Sequence, residues 1–419
     1  MNLSCRKSHA AGRALSLLVL ALGLGALHAA DAPPLDDRIM LDGVMVNGEP
    51  VRLAFDTGSD APVLFRPVAE RLGLKITEPP ADAKISAGQI RVGRTEAVQL
   101  QFGTRNGAKI VTDRLAVVDM PGGLRPDVDG VIGWGSLRDN FFVFDVSSSK
   151  VSIDATGQPP EPAGAWQRVG LRKGSRLLVL DFSGESGRIA GSVLIDTGSS
   201  AGVHLSAERW REWRTAHPDA PTTMDAYVMP GVGLVVREMS WVRELSIGPL
   251  NLTDVTVQEA SSAEAAMASG YEATLGVAAL KRQDVVIDGK NGVAYFARRQ
   301  APSPPLAHNR LGAVFTPSDL QHDPLEAHVA TGSPAEAAGI RNGDVLLTID
   351  AIDVTKWRTD SAGMAMGTFW QRPAGTKFLL TFRRGDREFA ITVTLRDILG
   401  PGLPKRFETN TTPAPKAAQ

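Results

Sequence analysis

The tetrapeptide Asp-Thr-Gly-Ser occurs twice in this chain, as Asp56-Thr57-Gly58-Ser59 and as Asp196-Thr197-Gly198-Ser199, each time at the end of an apolar run. One copy alone means little, because a given tetrapeptide turns up by chance in about one in two hundred chains of this length. The surroundings also repeat. The first copy closes "DRIMLDGVMVNGEPVRLAFDTGSD" and the second closes "SRLLVLDFSGESGRIAGSVLIDTGSS", each a pair of alternating β-rich runs around a glycine-containing turn. Further on come "DGVIGWGSLRDNFFVFDVSSSKVSI" and "ATLGVAALKRQDVVIDGKNGVAYF". The pairs Asp56/Asp196, Gly133/Gly276 and Asp145/Asp288 are separated by 140, 143 and 143 residues. A near-constant separation over three landmarks indicates an internal duplication. The fold must therefore accommodate two copies of one β-dominated unit, with short helices predicted near "RPVAERLG" and "SAERWREW".

Proline-rich stretches at 157–166 and 299–308, and a polar tail from 408, punctuate the 419 residues. They divide the chain into blocks 34–156, 166–299 and 306–400, with 401–419 predicted to be a disordered end. Residues 1–30 differ in kind: Arg6, Lys7 and Arg13 lead into "ALSLLVLALGLGAL" and then small residues, the order of a secretory signal. The apolar run is shorter than the roughly 20 residues that cross a bilayer, so no stable membrane span is expected once the signal is removed. Its removal takes the formal charge from −1 to −4, which excludes a surface built to attract nucleic acid. The single cysteine, Cys5, lies in that leader, so the mature chain has no disulfide. Seven histidines without HExxH or paired Cys/His spacing argue against a protein-built metal site. A periplasmic or secreted location follows as the expectation, with no metal and no cofactor.

In both halves apolar residues, Leu53 to Phe55 and Val193 to Ile195, lead into the aspartate. Glycine then allows a close backbone approach, and hydroxyls can orient a carboxylate that is otherwise costly to bury. Later in each half an apolar pair precedes a glycine, "VIG" at 131–133 and "TLG" at 274–276. This combination resembles the aspartic proteases of the pepsin and retroviral type, over roughly residues 38–298. The resemblance implies a mainly β fold of two tandem aspartic-protease-like lobes arranged as a pseudo-dimer. It also implies a catalytic pair, Asp56 and Asp196, in peptide-bond hydrolysis. Thr57 and Thr197 would brace the turns, Gly58 and Gly198 would give them room, and Ser59 and Ser199 would hydrogen-bond the carboxylates. Two copies make chemical sense, since one carboxyl group cannot at once activate a water and polarise a carbonyl, whereas two close together share a proton and divide the roles. Two other readings remain: ordinary Asx turns at strand ends, or a duplicated fold without activity, serving as a peptide-binding scaffold.

The chain also departs from the pepsin pattern. Asp60 follows the first turn where Ser or Thr is usual, and is expected either to face solvent or to raise the pKa of the pair by repulsion. Block one has no tyrosine, so its flap candidate is 84–95, with 226–238 as the counterpart. Little chain separates the leader from the first strand, which speaks against a pepsin-style inhibitory pro-segment. Asp145 and Asp288 read as turn formers.

Block three contains "RLGAVF" and "GSPAEAAGIRNGDVLLTID", in which Ser333 to Glu336 form a capping box with proline at the first helical position. It looks like a PDZ domain of bacterial periplasmic proteases. That resemblance implies capture of a peptide or protein C-terminus, with Leu311 and Gly312 in the carboxylate loop and Leu311, Gly312, Ala313, Val314 and Phe315 as the binding strand. The other reading is a structural module whose groove is unused. Serine-protease chemistry, a common companion of such domains, finds no G-x-S-x-G elbow here.

Overall fold

The structure is a computed structural model, and it describes residues 22–23, 38–79, 92–105, 107–119, 128–145, 149–154, 157–158, 160, 166–182, 189, 191–229, 233–261, 270–299, 308–319, 322–360, 362–363 and 368–400. It is mainly β. In the first half the strand β1 (Leu53–Asp56) is buried along its whole length, as its run of apolar residues requires. The helix α1 (Arg66–Arg71), with Pro67 in its first turn, follows β2 (Val63–Phe65). The strand β3 (Gly130–Gly133) lies parallel to β1, with Gly133 opposite Asp56, and antiparallel to β2. A one-turn helix, α2 (Trp134–Leu137), leads to β4 (Phe141–Asp145).

The second half repeats this order. The strand β5 (Gly191–Ile195) delivers Asp196, β6 (Val203–Leu205) follows, and α3 (Ala207–Ala216) starts at Ser206, whose hydroxyl accepts the Arg209 N–H. A long hairpin of β7 (Thr222–Met229) and β8 (Gly233–Ile247) then pairs with β9 (Leu250–Glu259). The strand β10 (Ala273–Leu275) runs parallel to β5 and antiparallel to β6, as β3 does to β1 and β2. Helix α4 (Val277–Leu280) and β11 (Gln283–Asp288) complete the copy. Asp288 does open a turn, its carboxylate accepting the Asn291 N–H three residues on at 3.0 Å.

The halves meet through equivalent strands. β4 pairs antiparallel with β11, with Phe141 opposite Asp288, Phe142 opposite Ile287, Val143 opposite Val286 and Phe144 opposite Val285. Val143 and Val286 are 143 residues apart, the separation of the duplication itself, so the pseudo-twofold axis passes between these two. A single sheet thus holds strands of both halves, and one hydrophobic cluster runs through both, from Ile39 to Phe296. Phe142, fully buried, stacks on Phe55 at 5.2 Å and lies 5.5 Å from the Trp134 ring. Phe142→Ala should therefore cost about 3–5 kcal/mol, to be read from urea unfolding.

Residues 313–394 form a separate sheet with its own core. Its members include β12 (Ala313–Pro317) paired with β13 (Leu325–Val329). The expected cap is present, Ser333 Oγ accepting the Glu336 N–H at 3.2 Å ahead of α5 (Pro334–Ala337). This core extends into the second half: Met224 belongs to it, and Ala226 and Val236 pack against it. The hairpin of β7 and β8 is therefore the seam with the third unit. Leu22–Gly23, within the expected signal, pairs with the edge of β7. Among the described residues no helix is long and apolar enough to cross a membrane.

Candidate active site

β1 and β5 each end in an aspartate followed by a tight turn, and the two turns lie back to back. Thr57 N–H donates to Thr197 Oγ1 at 3.0 Å, and Thr197 N–H donates to Thr57 Oγ1 at 3.1 Å. The Thr57 hydroxyl donates to the Ile195 carbonyl at 2.6 Å, and the Thr197 hydroxyl donates to the Phe55 carbonyl. Four reciprocal bonds between residues 138 to 142 apart in sequence fix the spacing of the turns. Both threonines are buried, so breaking any of these bonds would leave polar groups without water.

Within each turn the carboxylate is held in the same way. Gly58 N–H donates to Asp56 Oδ1 and Gly198 N–H donates to Asp196 Oδ1, both at 2.9 Å. The glycines also lie against the opposite acid. A Cβ on Gly58 would stand 2.6 Å from Asp196 Oδ1, and one on Gly198 would stand 2.5 Å from Asp56 Cγ. Only a residue without a side chain fits at either place. Asp56 and Asp196 are both 0% exposed. Burial, then the charge of Asp196, holds the Asp56 carboxyl well above the usual carboxylate range; the Gly58 N–H pulls the other way. Each acid thus lies against the glycine of the opposite turn, and two buried carboxyl groups that raise one another's pKa favour a single shared proton.

The strands with the apolar-apolar-glycine pattern close the site from behind. Trp134 N–H donates to the Ser59 carbonyl at 2.9 Å, and Val277 N–H to the Ser199 carbonyl at 2.8 Å. A Cβ on Gly133 would lie 2.7 Å from the Ser59 carbonyl oxygen, and one on Gly276 would lie 2.8 Å from that of Ser199. The pattern seen in sequence thus marks where one backbone presses on the back of the turn.

Two expectations need correction. The Ser59 hydroxyl does not reach the carboxylate: it donates to the Ala61 carbonyl at 3.0 Å, and it is the backbone N–H of Ser59 that favours the Asp56 anion. The Ser199 hydroxyl is buried and makes no hydrogen bond among the described residues. In each turn the carboxylate oxygen Oδ1 is held by the glycine N–H instead. Asp60, in turn, does not face solvent. It is 7% exposed and pairs with Arg176 at 2.8 Å. Burial raises its pKa, and the Arg176 charge opposes the rise.

Arg176, which the sequence did not single out, comes from the opening of the second half, where Leu178 N–H also donates to the Thr57 carbonyl at 3.2 Å. The arginine thus ties the second half to the first beside the paired turns. Arg176→Ala would strand a buried carboxylate and should cost about 1–3 kcal/mol at neutral pH. Because the pKa of Asp60 is raised, its protonation removes that penalty as the pH falls, so the melting difference from wild type should narrow in acid.

Of the flap candidates, 84–91 lies outside the described residues, and Val92–Thr95 is a strand pairing with Ala116–Val118. The counterpart 226–238 falls on the β7 and β8 hairpin, with Met229 opposite Gly233 and its tip outside the described residues. In the third unit Leu311, Gly312, Ala313, Val314 and Phe315 are all buried. The N–H groups of Leu311 and Gly312 are already taken, both donating to Asn309 Oδ1.

A family model described as aspartyl protease matches residues 43–135, the segment with the first acidic turn and the first apolar-apolar-glycine strand. Among solved structures, the EIAV protease complexed with the inhibitor HBY-793 is similar at 22% identity and a TM-score of 0.19, over 26% of this chain and 92% of that one. No curated protein matches the chain. Residues 43–135 are thus similar to aspartyl proteases, and the chain as a whole folds mainly as β-structure.

Proposed function

We propose that the chain is an aspartic endopeptidase in which Asp56 and Asp196, one from each half of a single-chain pseudo-dimer, activate a water for hydrolysis of a polypeptide. The observation that carries this reading is the reciprocal clasp of two equivalent turns around two buried carboxyl groups, each against the glycine of the opposite turn. A pair sharing one proton contains a base and an acid at once. The ionised member takes a proton from water as the water oxygen bonds to the peptide carbon, while the protonated member donates to the carbonyl oxygen. Collapse of the tetrahedral species then returns a proton to the leaving nitrogen, and the C–N bond breaks. Thr57, Thr197, Gly58 and Gly198 position the pair; Ser59 and Ser199 contribute through backbone groups.

The third unit is read as a PDZ domain that recognises a peptide or protein C-terminus, and the whole as a periplasmic or secreted protein whose first thirty residues are its export signal. The basic start, apolar run and following small residues of that segment support the location. The test of activity is cleavage of an unfolded protein, from acid to neutral pH, by wild type and by the Asp56→Asn and Asp196→Asn variants. Equal cleavage by all three would rule out the dyad. No cleavage by wild type at any pH would favour the non-catalytic scaffold.

A further inference from the structure

The seam between the hairpin and the third unit passes through one side chain. Asn309, 4% exposed, uses both ends of its amide. Oδ1 accepts the N–H groups of Leu311 at 2.9 Å and Gly312 at 3.0 Å. Nδ2 donates to the carbonyl of Met224 in β7 at 3.1 Å and to that of Ala313 at 2.8 Å. The Asn309 carbonyl accepts the Thr223 hydroxyl, again from β7, at 2.7 Å. Gly312 has φ of +76°, and successive N–H groups turned toward one point make a concavity suited to an anionic oxygen. Asn309 fills that concavity with a neutral oxygen from its own chain while gripping the hairpin with its nitrogen. The apolar part of the grip is Met224, Ala226 and Val236 in the third unit's core.

We propose, resting on the reading of the third unit as a binder of peptide termini, that hairpin docking and carboxylate capture compete for this loop, with Asn309 as the exchanged group. A C-terminal carboxylate that takes the N–H groups of Leu311 and Gly312 must expel Asn309 Oδ1. The amide cannot swing out without releasing Met224, and with it one tie on the β7 stem. A charged acceptor forms the stronger bonds, which drives the exchange. Linkage makes the effect reciprocal, so a docked hairpin weakens capture by the factor by which capture loosens the hairpin. The ligand class is an extended polypeptide with a free, apolar C-terminal residue.

Hydrogen exchange over residues 222–247 of the full chain tests this, with an apolar-ended peptide added as the free acid or as its C-terminal amide, its integrity checked by mass. The free acid, and not the amide, is expected to speed exchange in β7 by at least about fivefold, the lower end of ordinary coupling. Thr223→Val, which removes a hairpin tie without touching the loop, should tighten free-acid binding severalfold. Asn309→Asp keeps an acceptor in the loop but loses both donated bonds, so it should loosen the hairpin without peptide and abolish peptide binding. Free-acid binding that leaves hairpin exchange unchanged, or that is equal in wild type and Thr223→Val, overturns the coupling. No binding to either overturns capture as well. None of these readouts needs turnover. A chain that responds to the free acid but cleaves nothing would refute the endopeptidase reading and leave the latch standing, whereas cleavage dependent on Asp56 and Asp196 without any peptide response would discard the latch alone.

Discussion

Asp56→Asn is expected to lower the rate of cleavage of an unfolded protein by about three orders of magnitude, and Asp196→Asn to do the same. An amide in either place can neither accept the water's proton nor supply one to the carbonyl. Because the pair acts as a unit, the double variant should be little worse than either single one. The same substitution should raise stability. Asp56 is held above its ordinary range by burial and by Asp196. A group raised in the folded state contributes stability that is present in full below its unfolded pKa, about 3.9, and is lost as pH climbs through the higher folded value. Wild type is therefore penalised toward neutral pH and the asparagine variant is not. Asp56→Asn should melt above wild type at neutral pH, by about 2–4 °C for each kcal/mol relieved, and the gap should close in acid. Scanning calorimetry at several pH values checks this; a variant less stable than wild type at neutral pH would mean that the two carboxyl groups do not repel. Activity should fall on the alkaline side as the last shared proton leaves, at a pH above the usual carboxylate range.

Gly198→Ala should be nearly as damaging to activity by a different route. Its methyl group would stand 2.5 Å from Asp56 Cγ and 2.6 Å from Asp56 Oδ2, closer than real contacts allow, so the carboxyl pair must spread. Displacement of a catalytic group by about 1 Å costs on the order of a hundredfold in rate, and the overpacking about 1–3 kcal/mol of stability. Gly58→Ala meets Asp196 in the same way and should behave alike. Folded protein with at least a hundredfold loss in cleavage is the expected outcome, from circular dichroism and initial rates together. Near-normal rates in both variants would show that the spacing of the two acids does not matter to the reaction.

The features legible in the sequence are those written in local backbone chemistry. The apolar runs before Asp56 and Asp196 could be read as buried strands, Gly58 and Gly198 as a place of close approach, and Ser333 as a helix cap, because each follows from neighbours a few positions away. The duplication also disclosed that Gly133 and Gly276 do equivalent work. Arg176 could not be found this way, since its partner Asp60 lies 116 positions earlier and only folding brings them together. Asn309 escaped for a similar reason: its role depends on a hairpin more than eighty residues earlier. The Ser59 hydroxyl was misread because sequence shows what can donate to a carboxylate and not which way a side chain turns; it donates to the Ala61 carbonyl, and the Gly58 N–H holds Oδ1.

The ladder between β4 and β11 has a bearing on how the molecule is made. Its two strands are separated by most of the second half, so a growing chain that has completed the first acidic turn still lacks its sister and the strand against which that half closes. Contacts this distant along a polymer form late and slowly. During synthesis, then, the emerging polypeptide cannot close this ladder until residues near Asp288 have cleared the ribosome, and the first acidic turn stays on an unpartnered half until then.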